Sequence, residues 1–504
     1  MLSERPSVFV ASRYLSTVGV RTRETCNGSA AVESGQTGTP ANHRGRSNEV
    51  RAAYQTPMRK RVLVLSPTTW DLEELSKPAY ERDYEFVFHN AGFYDRAVLF
   101  AGLTFDVLGS IRGAIDAGRA ARVDAVVGTH DYPSSLQAAA VAEGLGLPGA
   151  SVERTLLCHH KYLWREAVRR TVPEATTAFG LIDPFNFCAA TLPLPLPFFV
   201  KPVKGTLSLR AAVAHDFPTL RAILRFSPVE RLAALSAMRP FNQLLERYTA
   251  FDMHGNWFIA EEVLGGDWQV TVEGYVDQGH VELMGIVDSV MYAGTRSFQR
   301  FEYPSRLPEA VQERMRAIAE RIVHATGFRH GCFNVEMLYD AQRDVVSAIE
   351  MNPRMCTQFS DLYEKVDGTS GYAVQLALAT GRRPAFRRRQ GRYAVAASFV
   401  SRTFADRKVL RVPPAKRVED VRRRFPATIV KFLCREGQWL SEQPQDPASY
   451  RYMIVNMGGA NREELAAAFE QVKRSVPVQF AARPFNRFVP QTHMSLGSVR
   501  WRYN

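Results

Sequence analysis

Two runs of alternating apolar and polar residues stand out between positions 331 and 354. Residues 333–339 alternate and are rich in strand-forming side chains, and residues 345–351 repeat the pattern after a short polar break. Two such runs across a short break predict a β-hairpin. Glu350, Asn352 and Arg354 are two residues apart, so their side chains should project from one face while the strand stays extended.

Short apolar runs alternate with helical patterns between residues 58 and 150. We predict strands at 59–65, 84–89 and 123–128, with helices within 105–119 and at 134–144. This alternation is typical of a doubly wound parallel sheet. Ligands of such sheets collect at the carboxyl ends of the strands, which places residues 129–131 near a candidate site. No G-x-G-x-x-G motif is present, so a dinucleotide site is not predicted.

Patterns in the rest of the chain mix helices with antiparallel strands. We predict helices at 151–170, 217–245, 309–326, 361–380 and 462–476, the last capped by Asn461. Strands are predicted at 258–264, 268–276, 281–287, 393–400, 408–412, 429–433 and 452–457. Residues 288–304 are expected to form a polar, aromatic loop. The fold class is therefore α/β at the N-terminus and α+β beyond it.

Composition places the chain among soluble globular proteins. Its 504 residues are 46% hydrophobic and 23% charged, enough for about two to four domains. No apolar run approaches the roughly 20 residues that span a bilayer, so no membrane partner is expected. The six cysteines form no C-x-x-C pair, which argues against zinc and against a disulfide framework. A cytoplasmic location is the corresponding expectation.

Positive charge is concentrated in two clusters. The formal net charge is +13, and residues 382–392 and 416–424 contribute heavily. A nucleic-acid surface is one interpretation. We favour a solvated basic face with affinity for anionic substrates, because no nucleic-acid motif accompanies the clusters. Residues 1–57 show little periodicity and are expected to be disordered, or to reflect a misplaced start before Met58.

Folding the hairpin back brings Glu336 opposite Glu350. Facing carboxylates repel, so a purely structural sheet should disfavour them. The pair is explained if a hard divalent cation lies between them, with the Asn352 amide oxygen beside it. Arg354 adds a permanent cation that suits a phosphoryl or carboxylate group. The alternative is an exposed hairpin with solvated acids.

Two upstream lysines could also meet an anion. Lys161 follows His159 and His160 on a predicted helix, where neighbouring side chains point about 100° apart, so the histidines make a poor chelating pair. Lys201 ends a strand and precedes a loop with Gly205 and hydroxyl residues at 206 and 208, a combination that can surround phosphates. Each lysine taken alone could equally be a solvent-exposed cation.

These elements together resemble the ATP-grasp superfamily in both type and order. The resemblance implies that ATP is bound with Mg²⁺ (or Mn²⁺), the metal being held by Glu336, Glu350 and Asn352. It also implies that Lys161 and Lys201 contact the α- and β-phosphates and that Arg354 stabilises the transferring group. The adenine hinge and the ribose acid would be Glu261, Glu262, Val263, Leu264 and Asp267. The phosphate loop has fewer Gly and Ser residues than is usual in the family.

The same resemblance implies the domain order and the reaction. A pre-ATP-grasp α/β domain would span 58–150, the ATP-grasp domain 151–384, and a small α+β domain 385–504. The enzyme would phosphorylate a carboxylate and join it to an amine, so its partners would be two small molecules, with a homodimer as a further expectation. The alternatives are a bicarbonate-activating carboxylase and a nucleotide-binding protein without ligase activity. Arg296 or Arg300 could hold a substrate carboxylate.

Overall fold

The computed structural model describes residues 59–90, 105–205, 210–266, 268–443, 445–446 and 448–481. Asp267, the loop hydroxyls at 206 and 208, and the segment 1–57 lie outside the described residues. None of the helices in the described ranges combines the length and the apolarity needed to cross a bilayer.

A parallel three-stranded sheet forms the N-terminal layer, in the order β2-β1-β3. Its strands are β1 (Lys60–Leu65), β2 (Tyr84–His89) and β3 (Ala125–Val127). Helices α1 (Thr69–Leu75), α2 (Pro78–Glu81), α3 (Val107–Ala121) and α4 (Ser134–Leu145) accompany them. Successive β1 side chains face opposite sides, and both sides are covered, so the whole apolar run Val62–Leu65 is buried. This confirms the predicted parallel α/β layer.

The predicted helix at 151–170 is two helices with a break between them. They are α5 (Val152–His159) and α6 (Lys161–Val168). His160 has an extended backbone and caps α6, because its ring Nδ1 accepts from the Leu163 N–H at 3.3 Å. The break places Lys161 at the N-terminus of α6, where its own N–H donates to the Val203 carbonyl at 2.9 Å.

A four-stranded antiparallel sheet follows, in the order β4-β7-β5-β6. The strands are β4 (Phe179–Ile182), β5 (Phe198–Pro202), β6 (Ala212–Ala214) and β7 (Phe258–Glu262). Helices α7 (Phe217–Ile223) and α8 (Pro228–Tyr248) lie between β6 and β7 in the chain. Phe198, Val200 and Leu220 are fully buried between this sheet and α7. The sheet thereby fixes the direction in which the Lys201 side chain projects from β5.

An antiparallel sheet of eight strands is the largest layer, in the order β12-β11-β8-β9-β10-β13-β16-β15. The first five strands along the chain are β8 (Trp268–Asp277), β9 (His280–Met291), β10 (Phe298–Tyr303), β11 (Gly331–Asp340) and β12 (Val345–Asn352). The others are β13 (Val395–Thr403), β15 (Ile429–Phe432) and β16 (Tyr450–Gly459), while β14 (Val409–Arg411) pairs with β17 (Gln479–Phe480). Strands beyond residue 385 therefore continue the sheet that contains the hairpin.

Among the described residues, five helices accompany the large sheet. They are α9 (Glu309–Thr326), α10 (Thr357–Asp367), α11 (Gly371–Ala379), α12 (Ala415–Arg424) and α13 (Arg462–Ser475). Helix α9 has the predicted bounds, and Asn461 caps α13 as predicted. The predicted helix at 361–380 is instead α10 and α11, separated at Gly368.

The prediction of a loop at 288–304 was wrong for most of that segment. Strand β9 continues to Met291, and β10 occupies the aromatic part of the segment. The sequence of β10 does not alternate cleanly, and its strand conformation depends on pairing with β9 on one side and β13 on the other. The contribution of β13, which lies about a hundred residues further on, is not visible in a local pattern.

Candidate active site

The hairpin register decides which side chains face each other. Strands β11 and β12 pair Asn334 with Asn352 and Glu336 with Glu350, and a bulge follows Glu336. Met351, on the opposite face of β12, is buried in the core. The predicted register is thus confirmed, and the carboxylates lie together on the face away from that core.

Glu336 and Glu350 have opposite electrostatic environments. Burial and the neighbouring Glu350 raise the pKa of Glu336 to about 7. Burial also opposes ionisation of Glu350, but Lys161 and Lys201 outweigh it and lower its pKa to about 2. The Glu350 carboxylate accepts from Lys161 Nζ at 2.9 Å. Near neutral pH the pair therefore carries less than two full negative charges, and a cation between them would favour ionisation of both.

Amide side chains surround the Glu336 carboxyl. Gln269 Nε2 donates to it at 3.2 Å, and Asn352 Nδ2 lies 3.5 Å from its other oxygen. Asn352 also donates to Asn334 Oδ1 at 3.0 Å. In the part of the chain that the structure describes, no group of three or more His, Cys, Asp and Glu forms a metal site. Two carboxylates with a neighbouring amide side chain nevertheless fit Mg²⁺, provided that the Asn352 amide turns its oxygen toward the cation; Mg²⁺ commonly takes its remaining ligands from phosphates and water.

A set of buried ion pairs connects β5, β7 and α6. Glu261 accepts from Arg165 Nε and from Lys201 Nζ, each at 2.7 Å. The Arg165 guanidinium also donates to the carbonyls of Ala348 and Ile349 in β12, at 2.7 and 3.2 Å. All three charged side chains are buried. Glu261 and Arg165 therefore fix Lys201 relative to the hairpin of β11 and β12.

The N-terminal sheet contributes a carboxylate to the same region. Asp131 follows β3, and its Oδ1 lies 3.1 Å from His159 Nδ1 and 3.9 Å from Lys204 Nζ. Its Oδ2 lies 3.9 Å from Arg354 Nη2. Lys204 Nζ is 3.2 Å from the same His159 nitrogen. Asp131, His159, Lys204 and Arg354 therefore form one cluster.

A buried carboxyl supports the segment that carries Arg354. Cys356 lies two residues beyond Arg354, and its backbone N–H donates to the Glu273 carboxylate. Glu273 lies on β8, opposite Asn334 of β11. Burial raises the pKa of Glu273 to about 7, although the Cys356 N–H and Arg354 oppose the shift.

The predicted adenine hinge leaves β7 at Glu262. The Glu262 N–H still donates to the Ala178 carbonyl at 2.9 Å, whereas Val263 is exposed. Gly266 has a φ of +125°, and a Cβ there would lie 2.7 Å from the Tyr339 carbonyl oxygen. The segment thus packs its backbone directly against the end of β11. Asp267, the predicted ribose acid, lies outside the described residues.

The two arginines predicted near a substrate carboxylate lie in different surroundings. Arg300 donates to Glu302 at 2.6 Å within β10. The Arg296 guanidinium lies 5.9 Å from the Phe199 ring centroid, and Lys201 Nζ lies at the same distance from that ring. Arg296 therefore reaches the strand that carries Lys201, while Arg300 has a carboxylate partner on its own strand.

Several residues of the site had no role in the sequence prediction. Arg165 lies one helical turn after Lys161, and Lys204 lies three residues after Lys201. The two histidines diverge as expected: His159 contacts Asp131, whereas His160 caps α6 and stacks on Phe241. The short spacing of Arg165 and Lys204 from the predicted lysines was the sequence signal that could have identified them.

Comparison with known proteins gives the class. Residues 194–361 match the family model described as ATP-grasp domain. A search of curated proteins gave no match. An L-amino acid ligase from Bacillus licheniformis superposes with a TM-score of 0.60 at 15% identity, covering 84% of this chain and 99% of that one. Phosphoribosylglycinamide synthetase from Anaerococcus prevotii gives 0.55 at 14% identity, covering 84% and 100%.

A carboxylase also shares this architecture. Biotin carboxylase from Campylobacter jejuni superposes with a TM-score of 0.54 at 14% identity, covering 83% of this chain and 92% of that one. At identities this low, the superpositions establish a common fold and nothing more. Residues 194–361 thus match an ATP-grasp domain, and the predicted resemblance to the ATP-grasp superfamily is confirmed.

Proposed function

We propose that the protein is an ATP-dependent ligase that phosphorylates a carboxylate and joins it to an amine. The observation that carries this proposal is the convergence of two lysines, Lys201 buried and Lys161 partly buried, on a facing pair of carboxylates. Lys161 contacts Glu350 directly, and Lys201 is held beside them through Glu261. Such an arrangement suits a polyphosphate with a divalent cation. The lysines can exchange their carboxylate partners for phosphate oxygens, and the facing carboxylates can then bind the cation.

Each charged group then has a defined task. Lys161 and Lys201 would hold the α- and β-phosphates, and Arg354 would stabilise the transferring phosphoryl group. Glu336, Glu350 and Asn352 would hold Mg²⁺, which when bound neutralises developing charge on the phosphates. The protein's contribution is to position the reactants and to keep this region buried. No side-chain nucleophile is needed for phosphoryl transfer to a carboxylate.

The proposal is tested by measuring Mg²⁺-dependent ADP release across carboxylic acids, amino acids, amines and bicarbonate. Release that requires both a carboxylate and an amine is the expected result. Release with bicarbonate in place of the carboxylic acid would assign the carboxylase alternative. ATP binding without release under any combination would contradict ligase activity.

Glu350→Gln should lower ADP release by about 100- to 1000-fold, because it removes one negative ligand and a charge-assisted contact to Lys161. Glutamine has nearly the same shape, so the variant should keep its circular dichroism spectrum. Glu320→Gln is a suitable control, since Glu320 is half exposed on α9. Undiminished ADP release by the Glu350 variant would count against the metal assignment.

A further inference from the structure

Asp131 is a further carboxylate beside the proposed phosphoryl-transfer site, and the proposed metal site does not include it. It belongs to the N-terminal sheet, yet its Oδ2 lies 3.9 Å from Arg354, which the proposed function places at the transferring group. A carboxylate here repels ATP and any acyl phosphate. The repulsion is useful if the carboxylate attracts a cation that belongs to the reaction.

Neighbouring side chains hold Asp131 in a fixed position. His159 Nδ1 and the Tyr132 N–H lie 3.1 and 2.7 Å from Oδ1. His159 is itself held, because its Nε2 lies 2.9 Å from Ser135 Oγ. The side chain of His159 is 2% exposed and that of Lys204 is 6% exposed, whereas that of Asp131 is 28% exposed. Asp131 is therefore partly exposed while its supports are buried.

The ionised state of Asp131 is secured by the same neighbours. Burial opposes ionisation, but Lys204 and His159 outweigh it and hold the pKa of Asp131 well below its usual range. Arg354 contributes in the same direction. The 3.9 Å distance between Arg354 Nη2 and Asp131 Oδ2 exceeds hydrogen-bond range, so this contact is a loose ion pair. A ligand ammonium could form a shorter contact without displacing His159.

Position in the fold agrees with a ligand contact. Asp131 follows the carboxyl end of β3, and open parallel sheets bind ligands at that edge. Arg354 follows β12 in the large sheet, so a molecule between the two side chains would bridge the N-terminal layer and the hairpin of β11 and β12.

We propose that Asp131 binds the ammonium form of the second substrate, so that the acceptor is a primary amine that is positively charged when it binds. The bound ammonium then loses one proton to solvent, which reaches the partly exposed Asp131, and the neutral nitrogen attacks the acyl carbon and displaces phosphate. The assignment rests on the proposed function and adds the acceptor class to it. Asp131 is the recognition residue, and His159 positions it. A neutral amine would gain only an ordinary hydrogen bond from this contact, and an anionic nucleophile would be repelled by it.

The test separates acyl phosphate formation from use of the amine. Hydroxylamine, which is largely uncharged at neutral pH, traps an acyl phosphate as a hydroxamate. Wild-type protein and Asp131→Asn are compared with the carboxylic acid that supports ADP release, using hydroxylamine or the productive amine. We expect the KM for the amine to rise about 10- to 100-fold and hydroxamate formation to fall far less. Asp131→Glu should recover part of the amine affinity.

The matched control is Asp116→Asn, since Asp116 is exposed on α3 of the same layer, with its nearest ion-pair partner 4.0 Å away. This control should behave as wild type in both assays. An unchanged amine KM in Asp131→Asn would overturn the assignment, as would a parallel loss of hydroxamate and amide, which would indicate a structural role. Wild-type protein that forms no hydroxamate from any acid would instead overturn the proposed function, and this assignment with it.

Discussion

At the scale of single residues, the candidate site is a set of ion pairs whose partners come from different elements. Glu261 of β7 pairs with Lys201 of β5 and with Arg165 of α6. A buried charge without a partner is strongly destabilising, so such residues must be positioned by one another. The sequence predicted Lys201 and Glu261 as separate nucleotide contacts. Their direct pairing depends on the register of β5 with β7, which no local pattern specifies.

Glu273 gives a stability prediction at the same scale. Its pKa is raised from 4.5 to about 7 by burial, so the folded protein binds this proton more tightly than the unfolded chain does. The resulting contribution to stability is complete below about pH 4.5 and is lost as the pH rises through about 7. Glu273→Gln removes the charge and keeps an oxygen for the Cys356 N–H. At pH 8 the variant should be more stable than wild type by up to about 3 kcal/mol.

Urea unfolding of both proteins at pH 4.5 and pH 8 measures this difference. The two free energies of unfolding should agree at the lower pH and diverge at the higher one. Glu282→Gln, at a half-exposed position of β9, serves as control and should follow wild type at both pH values. A Glu273 variant that is less stable than wild type at pH 8 would show that the ionised carboxylate stabilises the fold.

At the scale of secondary-structure elements, hydrophobic periodicity predicted those whose conformation is set locally. The run Val62–Leu65 and helix α9 are examples, because the burial of each follows directly from its own pattern. Strand β10 was missed since its conformation requires two partner strands. The break before α6 was missed because His160 forms the cap with its own ring, and histidine is not a usual capping residue.

Gly266 tests how closely the hinge approaches the hairpin. Its φ of +125° suits glycine, and an added Cβ would meet the backbone of Tyr339 and Asp340. Gly294→Ala is the matched control, because Gly294 also has a positive φ (+69°) but nothing within 4 Å of its Cβ position. We expect Gly266→Ala to lower the free energy of unfolding by about 1–3 kcal/mol more than the control does. Equal losses in urea unfolding would show that the hinge can move away from β11.

At the scale of the whole molecule, the site lies where three sheets meet. The N-terminal layer provides Asp131, the four-stranded sheet provides Lys201, and the large sheet provides the facing carboxylates. The order of motifs along the chain was sufficient to predict the ATP-grasp fold, which the comparisons confirm. The contact between Asp131 and Arg354 was not predicted, because residues so far apart in sequence are brought together only by the packing of complete layers.

The central claim is that a phosphoryl group passes from ATP to a carboxylate before the amine attacks. The most direct measurement uses the substrate acid labelled with oxygen-18 in its carboxylate and follows the label into inorganic phosphate by mass spectrometry. An acyl phosphate leaves one labelled oxygen on each phosphate released during ligation, and we predict this result with ADP as the other product. Unlabelled phosphate, or label appearing in AMP, would contradict the mechanism.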